Sequence, residues 1–304
     1  SLDQNHFPYG VENVVESSPA IIDVNDDGRM EMFFGDYSGI FHGVDSYGEP
    51  LAGFPYEVEG DGNKPIWGAV AAADIDLDGV YEFAFGSKNK HFYVIDQFGN
   101  VEINYDAEQF LMGDATIVQL DDDPEYEIVF SGYNSSGKVF ALNHDGSMVS
   151  GFPAQINQKI LKGSAATDLN NNSYDDIVVV TDNNHIFIVY DDGQFEEIFE
   201  ASSKFKASPS ILDIGGEKYI IVGSESGTLY GIDLDGEVRF TYHTGSNIQT
   251  APGFITLNNK TSIFFGSNNG YLYGIDSYGN DLEGWPVDLG GQVSISPVFA
   301  DLNN

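Results

Sequence analysis

The chain contains no cysteine. Disulfide frameworks, thiolate zinc sites, iron–sulfur clusters and cysteine nucleophiles are therefore excluded. Basic residues are scarce as well: 12 Lys and Arg stand against 48 Asp and Glu in 304 residues, for a formal charge of −36. With no basic excess to displace counterions from phosphates, a nucleic-acid partner is not expected. An anionic membrane surface is disfavoured for the same reason. No apolar run approaches the roughly 18 residues of a transmembrane helix, so membrane insertion is not expected either. Ser1-Leu2-Asp3-Gln4 carries no initiator Met and no basic-then-apolar leader, which reads as a processed chain or part of a longer polypeptide.

What the chain does have is glycine, 35 residues, and aromatics, 22 Phe and 17 Tyr among them. Apolar residues make up 41%, enough for a large core. A repeat organises these residues. Phe41-His42-Gly43-Val44-Asp45-Ser46-Tyr47-Gly48 recurs as Phe92-Tyr93-Val94-Ile95-Asp96-Gln97-Phe98-Gly99. Further copies begin at Phe140, Phe187, Leu229 and Leu272. The interval is about 40 to 50 residues, the period of a propeller blade.

Each unit reads as four short strands, A to D, separated by turn signals such as Asp-Asp-Gly and Tyr-Gly. In the first unit these are 18–23, 31–35, 40–45 and 53–58. No segment sustains a 3.6-residue apolar period, so helix should be nearly absent. A four-stranded unit cannot bury both faces alone, and stacking against neighbours supplies the missing contacts. The expected fold is an all-β propeller of antiparallel blades, a single domain over 1–304. Complete units fall at about 18–58, 69–106, 115–154, 164–200, 208–243 and 251–288. His6-Phe7-Pro8-Tyr9 repeats the D-strand signature of Gly53-Phe54-Pro55, Gly151-Phe152-Pro153 and Gly284-Trp285-Pro286. Ser296-Pro297-Val298-Phe299-Ala300-Asp301-Leu302-Asn303 repeats strand A. Segments 1–17 and 289–304 therefore read as parts of a closing or truncated blade. A seven-bladed parent is favoured, with a six-bladed ring as the alternative.

The A–B connections are acidic. Asp23, Asn25, Asp27 and Glu31 occupy positions 1, 3, 5 and 9 of the first, with Gly28 at position 6. Asp74, Asp76, Asp78 and Glu82 repeat the pattern around Gly79. Alternating oxygens can turn inward around one point, joined by a backbone carbonyl at position 7, that of Arg29 or Val80. An all-oxygen set of this kind suits Ca²⁺ better than Mg²⁺. An EF-hand is excluded, because position 12 is Phe34 or Phe85 inside a strand. The third connection offers Gln119, Asp121, Asp123 and Glu127 with position 7 at Glu125, but Pro124 replaces the glycine. The fourth offers Asp168, Asn170, Asn172 and Asp176 with position 7 at Tyr174, poorer in charge. The fifth shortens to Asp213-Ile214-Gly215-Gly216 and the sixth to Thr256-Leu257-Asn258-Asn259-Lys260, neither suited to a metal. Asp-rich loops also occur as plain solvated turns, with Asx side chains bonding their own backbone.

The nine-residue loop between two strands resembles the calcium loop of FG-GAP or VCBS-type repeats in integrin-like propellers. The resemblance covers nearly the whole chain and is most specific in the first two units. The last two units, with Gly223-Ser224-Glu225-Ser226-Gly227-Thr228-Leu229-Tyr230, lean toward the PQQ-like repeat. The resemblance implies two calcium sites and up to four, structural in role, and a secreted or cell-surface protein. It also implies that A–B loops share one face while D–A and B–C loops form the ligand face.

Lysine is unevenly spread. Lys64, Lys159, Lys162, Lys204 and Lys206 fall in D–A segments, and Lys88, Lys90 and Lys138 in or beside B–C turns, eight of ten in all. Trp67, Phe110, Tyr133 and Phe205 accompany them. Such a face suits an anionic glycan or a protein partner, lysine meeting carboxylate and rings stacking on sugar. The plainer reading is that lysines gather in exposed loops for solubility. Catalysis has thin support: there is no Gly-x-Ser-x-Gly, no His-Glu-x-x-His and no phosphate-gripping glycine loop. His91 and His185 begin strand C in two units, on the side of the ligand face, but without a partnered base a buried or hydrogen-bonded structural role is expected of them. The functional expectation is a non-catalytic binding or adhesion module. A polysaccharide lyase or other carbohydrate-active enzyme is one alternative, and an assembly scaffold the other.

Overall fold

The computed structural model describes residues 8–60 and 62–299. The repeat copies read at His6-Phe7 and at Ala300–Asn303 lie outside the described residues. Among those described there is no helix, and 24 strands form six four-stranded antiparallel sheets. Two compact units divide the chain. The first is Ser1–Gly163 with Asp191–Gln194, and the second is Ser164–Tyr190 with Phe195–Asn304.

In the first unit, sheet 1 is a meander of Ala20–Ile22, Glu31–Gly35, Ile40–Val44 and Tyr56–Glu57. Sheet 2 runs Ala71–Ala73, Glu82–Gly86, His91–Asp96 and Val101–Asp106. Sheet 3 departs from the expected pattern. Its inner edge comes in two pieces, Phe110–Leu111 and Thr116–Val118, both paired with Glu127–Tyr133. Val139–Leu142 follows, and the Gly151-Phe152-Pro153 segment contributes only a bridge between Val139 and Ala154. Proline removes a ladder donor, so such a segment hugs the edge without extending it.

In the second unit, sheet 4 runs Ala165–Thr167, Asp176–Val180, His185–Val189 and Phe195–Glu200. Sheet 5 runs Ser210–Ile214, Glu217–Gly223, Thr228–Asp233 and Val238–His243. Sheet 6 runs Gly253–Leu257, Lys260–Gly266, Tyr271–Asp276 and Val287–Asp288. Residues 296–299 form no strand, although the Phe299 ring packs on Phe264 at 5.3 Å between centroids.

The middle strands are buried on both faces, which explains their nearly continuous apolar runs. In Glu82–Gly86 every residue is buried. Phe83, Phe85, Tyr93 and Ile95 pack into the core shared with sheet 1, while Ala84, Phe92 and Val94 pack into the one shared with sheet 3. Period-two alternation sends successive side chains to opposite neighbours. Aromatic stacking joins the sheets: Phe33 lies 3.7 Å from Phe83 between centroids, and Phe92 lies 3.9 Å from Phe130.

In sheets 1 and 5 the close approach of the D–A segment needs glycine at the end of the second strand. A Cβ at Gly35 would stand 2.3 Å from Ile66 Cγ2, and one at Gly223 would stand 2.3 Å from Ile248 Cγ2. Buried polar side chains then fix the B–C turns. Asp36, wholly buried, accepts the amides of Ser38 and Ile40 and meets His42 Nε2 at 3.2 Å.

Candidate metal loops and ligand face

The register of the first two strands sets the acidic loops. Ile22 pairs with Glu31, Ala73 with Glu82, Val118 with Glu127 and Thr167 with Asp176. Position 1 of each loop thus follows the inner strand, and position 9 opens the second. In all four loops the position-9 carboxylate turns back and accepts the backbone N–H of position 2. Glu31 takes Val24 at 3.1 Å, Glu82 takes Ile75 at 2.6 Å, Glu127 takes Leu120 at 2.5 Å and Asp176 takes Leu169 at 2.9 Å. All four are buried. The bond replaces a ladder bond that the loop cannot make, and sequence alone assigns position 9 only to a metal.

The remaining oxygens are used differently from loop to loop. In the first, Asp23 accepts the amides of Asp27 and Gly28, and Asn25 and Asp27 accept those of Asp27 and Arg29. In the fourth, Asp168 accepts the amides of Asn171, Asn172 and Ser173. Desolvation works against its charge, but these three donors hold its carboxyl below the ordinary range. Asn170 and Asn172 likewise accept backbone N–H groups, those of Asn172 and Tyr174.

The second loop leaves an oxygen over. Asp74 Oδ2 accepts the amide of Gly79, while its Oδ1 is buried with no hydrogen-bond partner. Asp74, Asp76 and Asp78 bring carboxylate oxygens within 4.8 Å of one another. Left-handed backbone at Leu77 and Gly79 makes this convergence possible. A buried, unpartnered oxygen on a carboxylate clustered with two others is costly without a cation. The cluster can hold a metal ion. Burial, then Glu102, Asp76 and Asp74, push the Glu82 carboxyl up to about 8, against the amide of Ile75. Glu102, on the outer strand of the same sheet, is raised by desolvation and then by Asp96, Asp76 and Asp78. It is an acidic neighbour of the loop that spacing did not reveal.

The third loop also gathers three carboxylates within 4.8 Å, those of Asp121, Asp123 and Glu127. Burial is the main reason that the Glu127 carboxyl rises to about 7. Gln119 is turned differently from Asp74, its amide Nε2 donating to the carbonyl of Asp123 at 2.7 Å. Among the described residues, the first and fourth loops gather no such trio of carboxylates, each having one or two Asn in the ring. Sheets 5 and 6 replace the loop by two-residue turns closing on Ile214–Glu217 and Leu257–Lys260. Both central residues have positive φ, 66° and 92° at Gly215 and Gly216 and 52° and 59° at Asn258 and Asn259, the geometry of a tight hairpin.

The lysines fall into two groups. Lys64 bonds Glu57 at 2.8 Å, and Lys204 and Lys206 meet Asp182 at 3.2 and 3.4 Å. Lys88 instead lies over the rings of Trp67, at 5.0 Å, and Phe110, at 5.9 Å. Lys90 lies 6.0 Å from Phe110, Lys159 5.2 Å from Tyr133 and Lys138 5.9 Å from Phe140. Lys88 and Lys90 have no carboxylate partner among the described residues, and the Trp67 indole N–H is buried without an acceptor. Lys162 has an interaction partner as well. His91 bonds Asn104 at 2.6 Å and His185 meets Glu197 at 2.8 Å, each tied to its own sheet's outer strand.

No protein-family model matches the chain, and no curated protein matches it. Solved structures do. BamB from Moraxella catarrhalis aligns with a TM-score of 0.68 at 15% identity, over 96% of this chain and 79% of its own. A europium-containing methanol dehydrogenase aligns at 0.69 and 12%, over 94% and 70%. BBS1N, solved in complex with ARL6DN, aligns at 0.62 and 11%, over 87% and 78%. The fold is a β-propeller. At these identities the likeness concerns the propeller framework alone. The propeller's acidic loops and lysine–aromatic face must be read from its own residues.

Proposed function

We infer that the chain is a binding propeller whose A–B loops are stiffened by structural Ca²⁺ and which acts outside the cell or at its surface. The observation that carries the metal reading is the buried, unpartnered Oδ1 of Asp74 beside Asp76 and Asp78. The donors are all oxygen, which favours a hard cation, and loop oxygens of this flexibility favour Ca²⁺ over Mg²⁺. Asp74, Asp76, Asp78 and the Val80 carbonyl would hold the ion, with Glu82 bracing the loop from behind. Extracellular calcium would fill even a modest site, which supports the location.

The ligand surface is the lysine–aromatic cluster of Trp67, Lys88, Lys90 and Phe110, with Tyr133 and Lys159 extending it. A half-buried ammonium without a carboxylate, in a chain of charge −36, suits an anionic group on a partner. That group belongs to a protein or an acidic glycan. BBS1N was solved with a protein partner, which favours the first class here. The test is a calorimetric Ca²⁺ titration of the whole chain, followed by capture of acidic peptides and acidic oligosaccharides by wild type and Lys88→Ala/Lys90→Ala. Absence of a calcium heat, or capture unchanged in the variant, would sink the corresponding half of the reading.

A further inference from the structure

We propose that the second unit carries a separate binding cleft for a neutral saccharide, built around Tyr219, Arg239 and Tyr278. It rests on the reading of the chain as a binding module, but not on the cation loops. A cavity of about 360 Å³ lies between sheet 5 and the C–D turn of sheet 6. Leu212, Ile221 and Phe240 floor it, and Tyr219 and Tyr278 flank its mouth. A second cavity of about 280 Å³ continues from it and shares Glu217, Tyr219 and Arg239, so the Arg239 side chain stands between two lobes. The volumes match small-ligand sites, and each lobe has room for one pyranose ring.

The cleft owes its opening to the shortened A–B connection. Where sheets 1 to 4 carry an acidic loop, sheet 5 has only Gly215 and Gly216 between Ile214 and Glu217. A Cβ on either glycine would meet nothing within 4 Å, so the space beside the turn is empty.

The ligand class follows from how Arg239 is held. Its guanidinium lies over the Tyr219 ring at 5.4 Å, and its Nη2 donates to the Tyr219 hydroxyl at 3.3 Å. That hydroxyl donates in turn to Glu217 Oε2. Glu217 and Asp233 approach the guanidinium at 3.8 and 3.7 Å, close enough to offset its charge but too far to use its N–H groups. Arg239 therefore keeps most of its five donors while its charge is met, and its side chain is 52% exposed. An anion would have to compete with two carboxylates. Neutral hydroxyl and acetal oxygens need only the spare donors, and Glu217 and Ser277 can accept hydroxyl protons in return. The Tyr278 ring, 80% exposed at the mouth, offers a face for the C–H side of a sugar.

The experiment titrates cellobiose, maltose and N,N′-diacetylchitobiose into the whole chain by saturation-transfer and chemical-shift NMR, with and without EDTA. At least one disaccharide should bind with a Kd of about 1 mM, unaffected by EDTA. Tyr278→Ala and Arg239→Ala should each weaken it about tenfold, and replacing a hexose by its uronate should not tighten it. Because Tyr278 is so exposed, its variant tests the site even where Arg239→Ala unfolds the sheet. No binding of any of the three at about 20 mM overturns the proposal. So does an affinity unchanged in Tyr278→Ala, a uronate preferred over its hexose, or binding lost in EDTA. A failed calcium titration with intact sugar binding would remove only the metal reading.

Discussion

Glu82 Oε2 accepts the backbone N–H of Ile75 at 2.6 Å, and the same bond recurs in the other three acidic loops. The position-9 carboxylate is thus first a brace between the two ends of the loop, whatever ion the loop holds. Glu82→Ala would leave the buried amide of Ile75 unmet and should cost about 1–3 kcal/mol. Glu82→Gln keeps an acceptor and matches the neutral carboxyl that a value of about 8 favours near neutral pH, so in EDTA it should be no less stable than wild type. Urea unfolding of the three proteins checks the order.

Asp76→Asn and Asp78→Asn remove charge from the trio around Asp74 while keeping an oxygen. Each should weaken calcium binding by about tenfold or more in calorimetry, since ligand charge tunes such sites over decades. The rise in Tm on adding calcium should shrink in step, because an ion that binds only the folded chain stabilises it by mass action. Asp213→Asn, on the loopless sheet 5, should leave both readings unchanged.

Without metal, the Glu82 and Glu127 carboxyls stand at about 8 and about 7, raised chiefly by burial. A carboxyl raised on folding holds its proton more tightly in the folded chain than in the unfolded one. Its contribution is fully present below the ordinary carboxylate value and is lost as pH rises through the raised one. The stability of the EDTA-treated protein should therefore fall between about pH 4.5 and about pH 8 on account of these groups. Calcium should abolish or reverse that slope, and its binding near neutral pH should release protons, measurable as buffer-dependent heats.

Gly35 has no room for a side chain, with Ile66 Cγ2 2.3 Å from its would-be Cβ. Gly35→Ala should destabilise the first unit by about 1–3 kcal/mol through overpacking. Gly10→Ala, where a Cβ would meet nothing within 4 Å, is the control. Thermal denaturation distinguishes the two.

The repeat of Phe, Gly and Asp was enough to establish an all-β chain of four-stranded units, because a period-two strand pattern punctuated by turn residues admits little else. The second strand of the first unit was legible to the residue: Glu31–Gly35 is both the segment read from the sequence and the observed strand. The doubling of the inner edge of sheet 3 was not legible, since Phe110–Leu111 becomes a strand only by pairing with Gly132 and Tyr133, over 20 residues away. Ligand spacing located four acidic loops, but composition could not say which oxygens the backbone would consume. Asp23 and Asp168 spend theirs on loop amides, whereas Asp74 keeps one in reserve, although all three loops share left-handed backbone at positions 4 and 6. The cleft at Tyr219, Arg239 and Tyr278 left no motif, because its walls come from strands distant in sequence. Local chemistry is written in the order of residues; the distribution of hydrogen bonds and empty space is settled only when the sheets pack.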